Sequence, residues 1–264
     1  LQRAVSYSQS APDNGKENEM PVFKNNETEI YYEEHGEGFP LLLLASGGMR
    51  STLEMWDTQP WNPVPALAEH FRVIAMDQRN AGRSTAPVLP TDSWQVYTGD
   101  QLALLDHLGV NRFSVVGMCI GGSFGMGLIE AAPERVASAV LFQPIGLDET
   151  GPENNRSAFH EMFDQWASEL APERPGVSPD TWQAFKHAMF DGDFLFNVSR
   201  DFVAGCNTPL LVLCGRDLYH PEAISREIVA LAPDAELVER WKDPEHVEAS
   251  SARVTEFLKQ HGGN

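Results

Sequence analysis

The sequence predicts an α/β fold: a doubly wound, mostly parallel sheet with right-handed crossovers. Three observations predict it. Short β-rich runs alternate with helical patterns along most of the chain. Four of those runs, LLLLA (41–45), FSVVGM (113–118), ASAVLF (137–142) and PLLVLC (209–214), are nearly continuous in apolar residues, the pattern of strands buried on both faces of a parallel sheet. The 264-residue length is close to the limit for one hydrophobic core, and 42% hydrophobic with 22% charged residues excludes a disordered or fibrous chain.

The elements follow in order. Residues 1–19 are polar, lack the apolar stretch of a secretory signal and precede Met20, a candidate start; they are set apart as a leader outside the fold. EIYYEE (29–34) is polar enough to belong near a sheet edge, and LLLLA and RVIAM (72–76) are the next candidate strands. In QLALLDHLGV, Leu102, Leu105 and Leu108 share a helical face, and Gly109 supplies the stop. FSVVGM runs into a helical pattern ending near Pro133, and ASAVLF follows. ELVERW (236–241) is the last strand, and the final helix places Val247, Val254, Leu258 and His261 on one stripe before Gly262 and Gly263.

One segment breaks this rhythm. Residues 149–205, inserted before the penultimate strand, are far longer than an ordinary connection and hold nine of the 25 aromatics, against about five by length alone. They read as a small helical lid over a pocket; the aromatic core of a helical subdomain without a pocket role accounts for the composition equally well. The core then comprises residues 20–148 and 206–264.

Acidic residues outnumber basic ones 38 to 19, a formal charge of −19. A field of that sign repels nucleic-acid phosphates and anionic lipid, so neither is expected as a partner. No apolar run is long enough to cross a bilayer. Three cysteines do not make a disulfide framework, which points to a reducing cytoplasm. No His/Cys/Asp group has zinc spacing and no glycine-rich phosphate loop follows a strand, so no metal or cofactor is expected.

The sharpest chemical signal is Gly117-Met118-Cys119-Ile120-Gly121-Gly122, between the FSVVGM strand and the helix after it. A nucleophile at a tight strand-to-helix turn stands exposed above the sheet edge. Small residues two before and two after it are needed because the turn brings backbones together. The helix N-terminus beneath such a cysteine favours the thiolate. Chance would supply about 0.02 occurrences of Gly-x-Cys-x-Gly in this composition; a buried cysteine at a packing turn is the bland alternative.

With this elbow the chain resembles the α/β-hydrolase superfamily over roughly residues 20–262. LLLLASGGM resembles its first core strand and oxyanion loop, with Ala45-Ser46 where the family commonly has His-Gly. DQRNAGRST (77–85) resembles its Asp-x-Arg-Gly-x-Gly-x-Ser turn, with Asn80 in place of a glycine, a mild change because Asn tolerates a left-handed backbone. The resemblance implies a triad in the order nucleophile, acid, base. Cys119 is the nucleophile and Asp217, after PLLVLC, the acid. The base is His246, on the segment after the last strand, although Pro244 could open the terminal helix and draw His246 into its first turn. His220, on the acid's own loop, is the alternative base. The backbone N–H groups of Gly47 and Ile120 would form the oxyanion hole, with Gly48 or Met49 in place of Gly47 if the loop register differs. His160 and His187 fall in the lid, within potential reach of substrate, and Cys206 and Cys214 read as structural.

These residues imply a hydrolase of a small, partly apolar ester, lactone or thioester, acting through a thioester acyl-enzyme. A thiolate leaves as readily as it attacks, so activated acyl groups suit it better than amides. Dienelactone hydrolases and polyhydroxyalkanoate synthases share a cysteine at this elbow, but the match stops there and their substrates are not carried over. An elbow cysteine counts against dehalogenases and epoxide hydrolases, which need aspartate. An acyltransferase and a non-catalytic small-ligand receptor on the same fold are the competing readings.

Overall fold

The sheet carries the apolar runs as adjacent strands, so each is buried on both sides. In the computed structural model, which describes residues 21–148 and 152–262, the strands are β1 (Val22–Asn25), β2 (Thr28–His35), β3 (Phe39–Leu44), β4 (Phe71–Met76), β5 (Phe113–Met118), β6 (Val136–Phe142), β7 (Leu210–Leu213) and β8 (Ala235–Val238). They form one sheet in the order β1-β2-β4-β3-β5-β6-β7-β8. β1 and β2 pair antiparallel, as do β2 and β4; every later pair is parallel, with Leu43 opposite both Ala75 and Val116.

The two-residue period of a strand divides the core into two layers. Leu42, Leu44, Val115 and Leu141 face one layer, and Leu41, Leu43, Val116 and Val140 the other. Helices cover both. α2 (Trp94–His107), α3 (Ile120–Ala131) and α7 (Glu222–Leu231) pack on the first; α1 (Pro63–Ala68) and α8 (Pro244–His261) pack on the second through Leu67, Val254, Phe257 and Leu258. This is the doubly wound, mostly parallel architecture the alternation predicts.

The differences are local. β2 is one strand in from the edge, because Val22–Asn25 adds an antiparallel β1 outside it. ELVERW is strand only as far as Val238; Trp241 instead tucks its indole inward, donating from Nε1 to the Cys214 carbonyl at 2.9 Å. In α2 the deepest leucines are Leu104 and Leu105, with Leu102 and Leu108 only partly buried. The proposed leader, residues 1–19, lies outside the described residues.

Between β6 and β7 the chain forms α4 (Pro152–Leu170), α5 (Pro179–Phe190) and α6 (Arg200–Ala204). Their aromatics pack on one another: Phe159 stacks on Phe190 at 5.5 Å, and Phe163 meets Phe185 edge-on at 5.1 Å. α4 is also tied to the loops at the C-terminal ends of the strands. Arg50 bonds Glu169, and Asn155 accepts from the Asp148 N–H while its amide donates to the Leu218 carbonyl. Among the described residues no helix is long and apolar enough to cross a membrane.

Candidate active site

Cys119 sits where β5 turns into α3, at φ 60° and ψ −119°, a conformation L-residues rarely adopt. The surroundings hold it there. Its N–H donates to the Phe142 carbonyl at 2.9 Å, and its own carbonyl accepts from the Gly122 N–H at 3.0 Å. The two small residues are sterically required: a Cβ on Gly117 would lie 2.0 Å from the Gly121 carbonyl oxygen, and one on Gly121 2.1 Å from the Leu44 oxygen.

The oxyanion loop follows β3. Gly47, at φ 113°, and the single turn Gly48–Arg50 bring the Gly47 N–H to the Cys119 sulfur, where the Ile120 N–H also points. Both backbone groups named from the sequence therefore lie beside the Cys119 sulfur. Beneath this loop the Asp77–Ser84 turn is fixed from within: Asp77 accepts from the Leu53 and Arg83 N–H groups at 2.9 Å each, and Asn80 adopts φ 56°, the left-handed geometry read from its replacement of glycine.

Asp217 and a histidine arrive on one short loop after β7. Asp217 Oδ1 accepts from the backbone N–H groups of Tyr219 and His220, both at 3.1 Å, and folds the chain into a tight turn. Gly215 makes room for it; a Cβ there would lie 2.4 Å from the His220 carbonyl oxygen. The turn sets His220 Nδ1 against Asp217 Oδ1 at 2.6 Å, and leaves the buried Nε2 facing Cys119. Asp217 fixes the ring tautomer this way, with Nδ1 protonated toward the carboxylate.

His246 is elsewhere. Pro244 opens α8, and His246 lies in its first turn with Nδ1 3.8 Å from both Asp243 and Glu245. The order of preference between the two histidines is accordingly reversed: the histidine beside Cys119 is His220. The cause is local, since β8 ends at Val238 and Trp241 folds back on β7, so the terminal helix begins too soon for His246 to reach the elbow. The loop after β8 contributes Lys242 instead, its amine 3.9 Å from Asp217 Oδ2 and 3.2 Å from Gln143 Oε1.

The electrostatics follow from these contacts. Burial alone would push the Cys119 thiol pKa up, but the neighbouring His220 ring, with the Ile120 and Gly47 N–H groups, brings it below its ordinary value. Burial works against the His220 imidazolium too, yet Asp217 and then Cys119 raise its pKa to about 9. Asp217 is held below the usual carboxylate range, chiefly by its bond to His220. Together these directions shift the pair away from neutral thiol and imidazole and toward thiolate and imidazolium.

The pair opens onto a cavity of about 220 Å³. Gly47, Gly48, Cys119, Ile120 and His220 form its reactive side. Ile145, Phe159, Met162 and Tyr219 form an apolar wall, two of them from α4. None of these four was singled out as a site residue from the sequence; the aromatic excess of 149–205 pointed to Phe159 only as one of nine. His160 and His187 do not line this cavity. Cys206 and Cys214 are buried free thiols.

A family model of the alpha/beta hydrolase fold matches residues 40–209, and the chain belongs to that family. Among curated relatives, the "Putative carbamate hydrolase RutD" of Azorhizobium caulinodans is 38% identical over 122 residues, 46% of this chain and 43% of that protein. The chain therefore spans less than half the length of that relative. The 2-hydroxymuconate semialdehyde hydrolase of Pseudomonas putida is 26% identical over 290 residues, 97% of this chain and 98% of that protein. Among solved structures, the enol-lactonase from Burkholderia xenovorans LB400 is 26% identical with a TM-score of 0.66, covering 90% of this chain and 100% of that one.

Proposed function

We propose that the chain is a hydrolase of small, partly apolar esters, lactones or thioesters, with Cys119 as nucleophile, His220 as base and Asp217 as its orienting acid. One observation carries this reading: a single cysteine sulfur, at the mouth of an apolar cavity, is met by a histidine already oriented by a carboxylate and by two backbone N–H groups. The names of the relatives, an enol-lactonase and a semialdehyde hydrolase among them, favour small substrates over polymers. A serine commonly stands at this elbow in the family; here the sulfur needs no proton transfer in the transition state of attack, because the ion pair forms beforehand.

The reaction proceeds in two halves. The Cys119 thiolate attacks the acyl carbon, and the carbonyl oxygen takes its negative charge between the Gly47 and Ile120 N–H groups. The adduct collapses, the bond to the leaving group breaks, and His220 Nε2 gives that group its proton, leaving a thioester on Cys119. His220, now neutral, takes a proton from water as the water attacks the thioester. Collapse of the second adduct releases the carboxylic acid and restores the thiolate–imidazolium pair. The helices α4–α6 act as the lid, with Phe159 and Met162 covering the acyl group.

Incubation with short-chain p-nitrophenyl esters and acyl thioesters, quenched in acid and digested, tests the proposal by mass spectrometry. The acyl mass is expected on the peptide holding Cys119 and to vanish in Cys119→Ala; turnover that persists in Cys119→Ala overturns it.

A further inference from the structure

Away from the cavity, three metal-ligand side chains converge where α5 packs on α4, the helix that walls it. His160 comes from α4; His187 lies in the last turn of α5 and Asp191 caps that helix. His160 Nε2 is 2.9 Å from one carboxylate oxygen of Asp191, and His187 Nδ1 is 2.6 Å from the other. The two rings stand nearly perpendicular, 89° apart, with centroids at 6.0 Å. One donor atom from each residue lies within 4.8 Å of the others.

We propose that His160, His187 and Asp191 bind a divalent transition-metal ion of the zinc class. Two imidazole nitrogens and a carboxylate are the donor set such ions take, with solvent completing the coordination. Donors around a tetrahedral zinc stand roughly 3.3 Å apart, from bonds of about 2.0–2.1 Å, so the 2.9 Å and 2.6 Å histidine–aspartate contacts, one to each carboxylate oxygen, need to open by about 0.4 Å and about 0.7 Å. The side chains are half-buried or exposed and free to make that adjustment. The charge balance also fits. Two imidazoles share one carboxylate, whose negative charge offsets part of that of a divalent ion. Arg156, one turn before His160, donates to the Phe190 carbonyl at 2.6 Å, in the peptide that joins Phe190 to Asp191.

Sequence spacing hides the site, since its histidines are 27 positions apart on two helices; packing of α4 on α5 brings them together. The bound ion would brace those helices just behind the cavity. Phe159, beside His160, stacks on Phe190, beside Asp191. The ion's binding does not depend on the cysteine mechanism, so the two can fail separately.

The test is zinc titration of the metal-free protein by calorimetry, with the thermal midpoint as second readout, in the wild type, His160→Ala/His187→Ala and Cys119→Ser. One equivalent of zinc is expected in the wild type and in Cys119→Ser. At hundredfold excess over Kd the midpoint should rise by about 5–10 °C, and both signals should disappear in the double variant. Cobalt substitution should give ligand-field bands without a sulfur charge-transfer band. The inference is overturned if no zinc binds, if the double variant binds as the wild type does, or if binding is lost in Cys119→Ser; the last result would move the ion to Cys119 and His220.

Discussion

At the residue scale the chemistry depends on one turn. Asp217 bonds the backbone N–H and the ring of His220, so a four-residue loop carries the proposed acid and base already joined. Replacing His220 by alanine should lower kcat/KM by about 10²–10⁴-fold, while His246→Ala should leave it within twofold; steady-state rates on the same ester decide this. The pH profile has a defined sign. The thiolate is needed, so activity falls on the acid side only below the ordinary thiol range. The imidazolium proton is needed by the leaving group, so activity falls again as pH rises through about 9. The hydrogen bond to Asp217 is the largest single contribution raising the His220 pKa, and Asp217→Asn should move that alkaline limb downward. The elbow spacing pointed to Cys119, and the resemblance to the hydrolase family pointed to Asp217, Gly47 and Ile120; the structure places Gly47 and Ile120 beside Cys119, and Asp217 beyond His220. The choice between His220 and His246 was not legible in the sequence, because it turns on how early the last strand stops.

At the element scale the elbow is held by the close approach of β5, α3 and β3. Gly121→Ala puts a methyl group against the Leu44 carbonyl, a backbone atom that cannot rotate away. A stability loss of about 1–3 kcal/mol is expected in denaturant melts. The α4 wall makes a different prediction. Met162 lies in the cavity and against Gly48, where a Cβ would come within 2.2 Å of its sulfur. Met162→Ala should extend the longest ester hydrolysed by two or more carbons, read from kcat/KM across a chain-length series. The insertion's helical character was visible as an aromatic excess. That it contributes Phe159 and Met162 to the cavity was not, because helical periodicity alone does not say which apolar face meets a neighbour and which meets a pocket.

At the scale of the whole molecule, alternation of apolar runs was enough to specify a sheet covered on both faces, and both layers of helices are present. The antiparallel edge strand β1 escaped notice because VFKN is short and half polar. The charge of −19 acts at this scale too. Its self-repulsion opposes the compact state and is screened by salt, with a Debye length falling from about 30 Å at 0.01 M to about 3 Å at 1 M. The melting midpoint should therefore rise by a few degrees between low and high sodium chloride; a midpoint that falls would mean local ion pairs outweigh the net charge.

The central claim is an activated thiolate at Cys119 supported by His220. Its most direct measurement is the rate of Cys119 alkylation against pH, followed on the modified peptide by mass spectrometry in the wild type, His220→Ala and His246→Ala. The account predicts rapid labelling that persists well below the ordinary thiol pKa of about 8.5, lost in His220→Ala and unchanged in His246→Ala. Slow labelling with an ordinary or raised pKa in all three proteins would contradict it, and the elbow would then be scaffold rather than nucleophile.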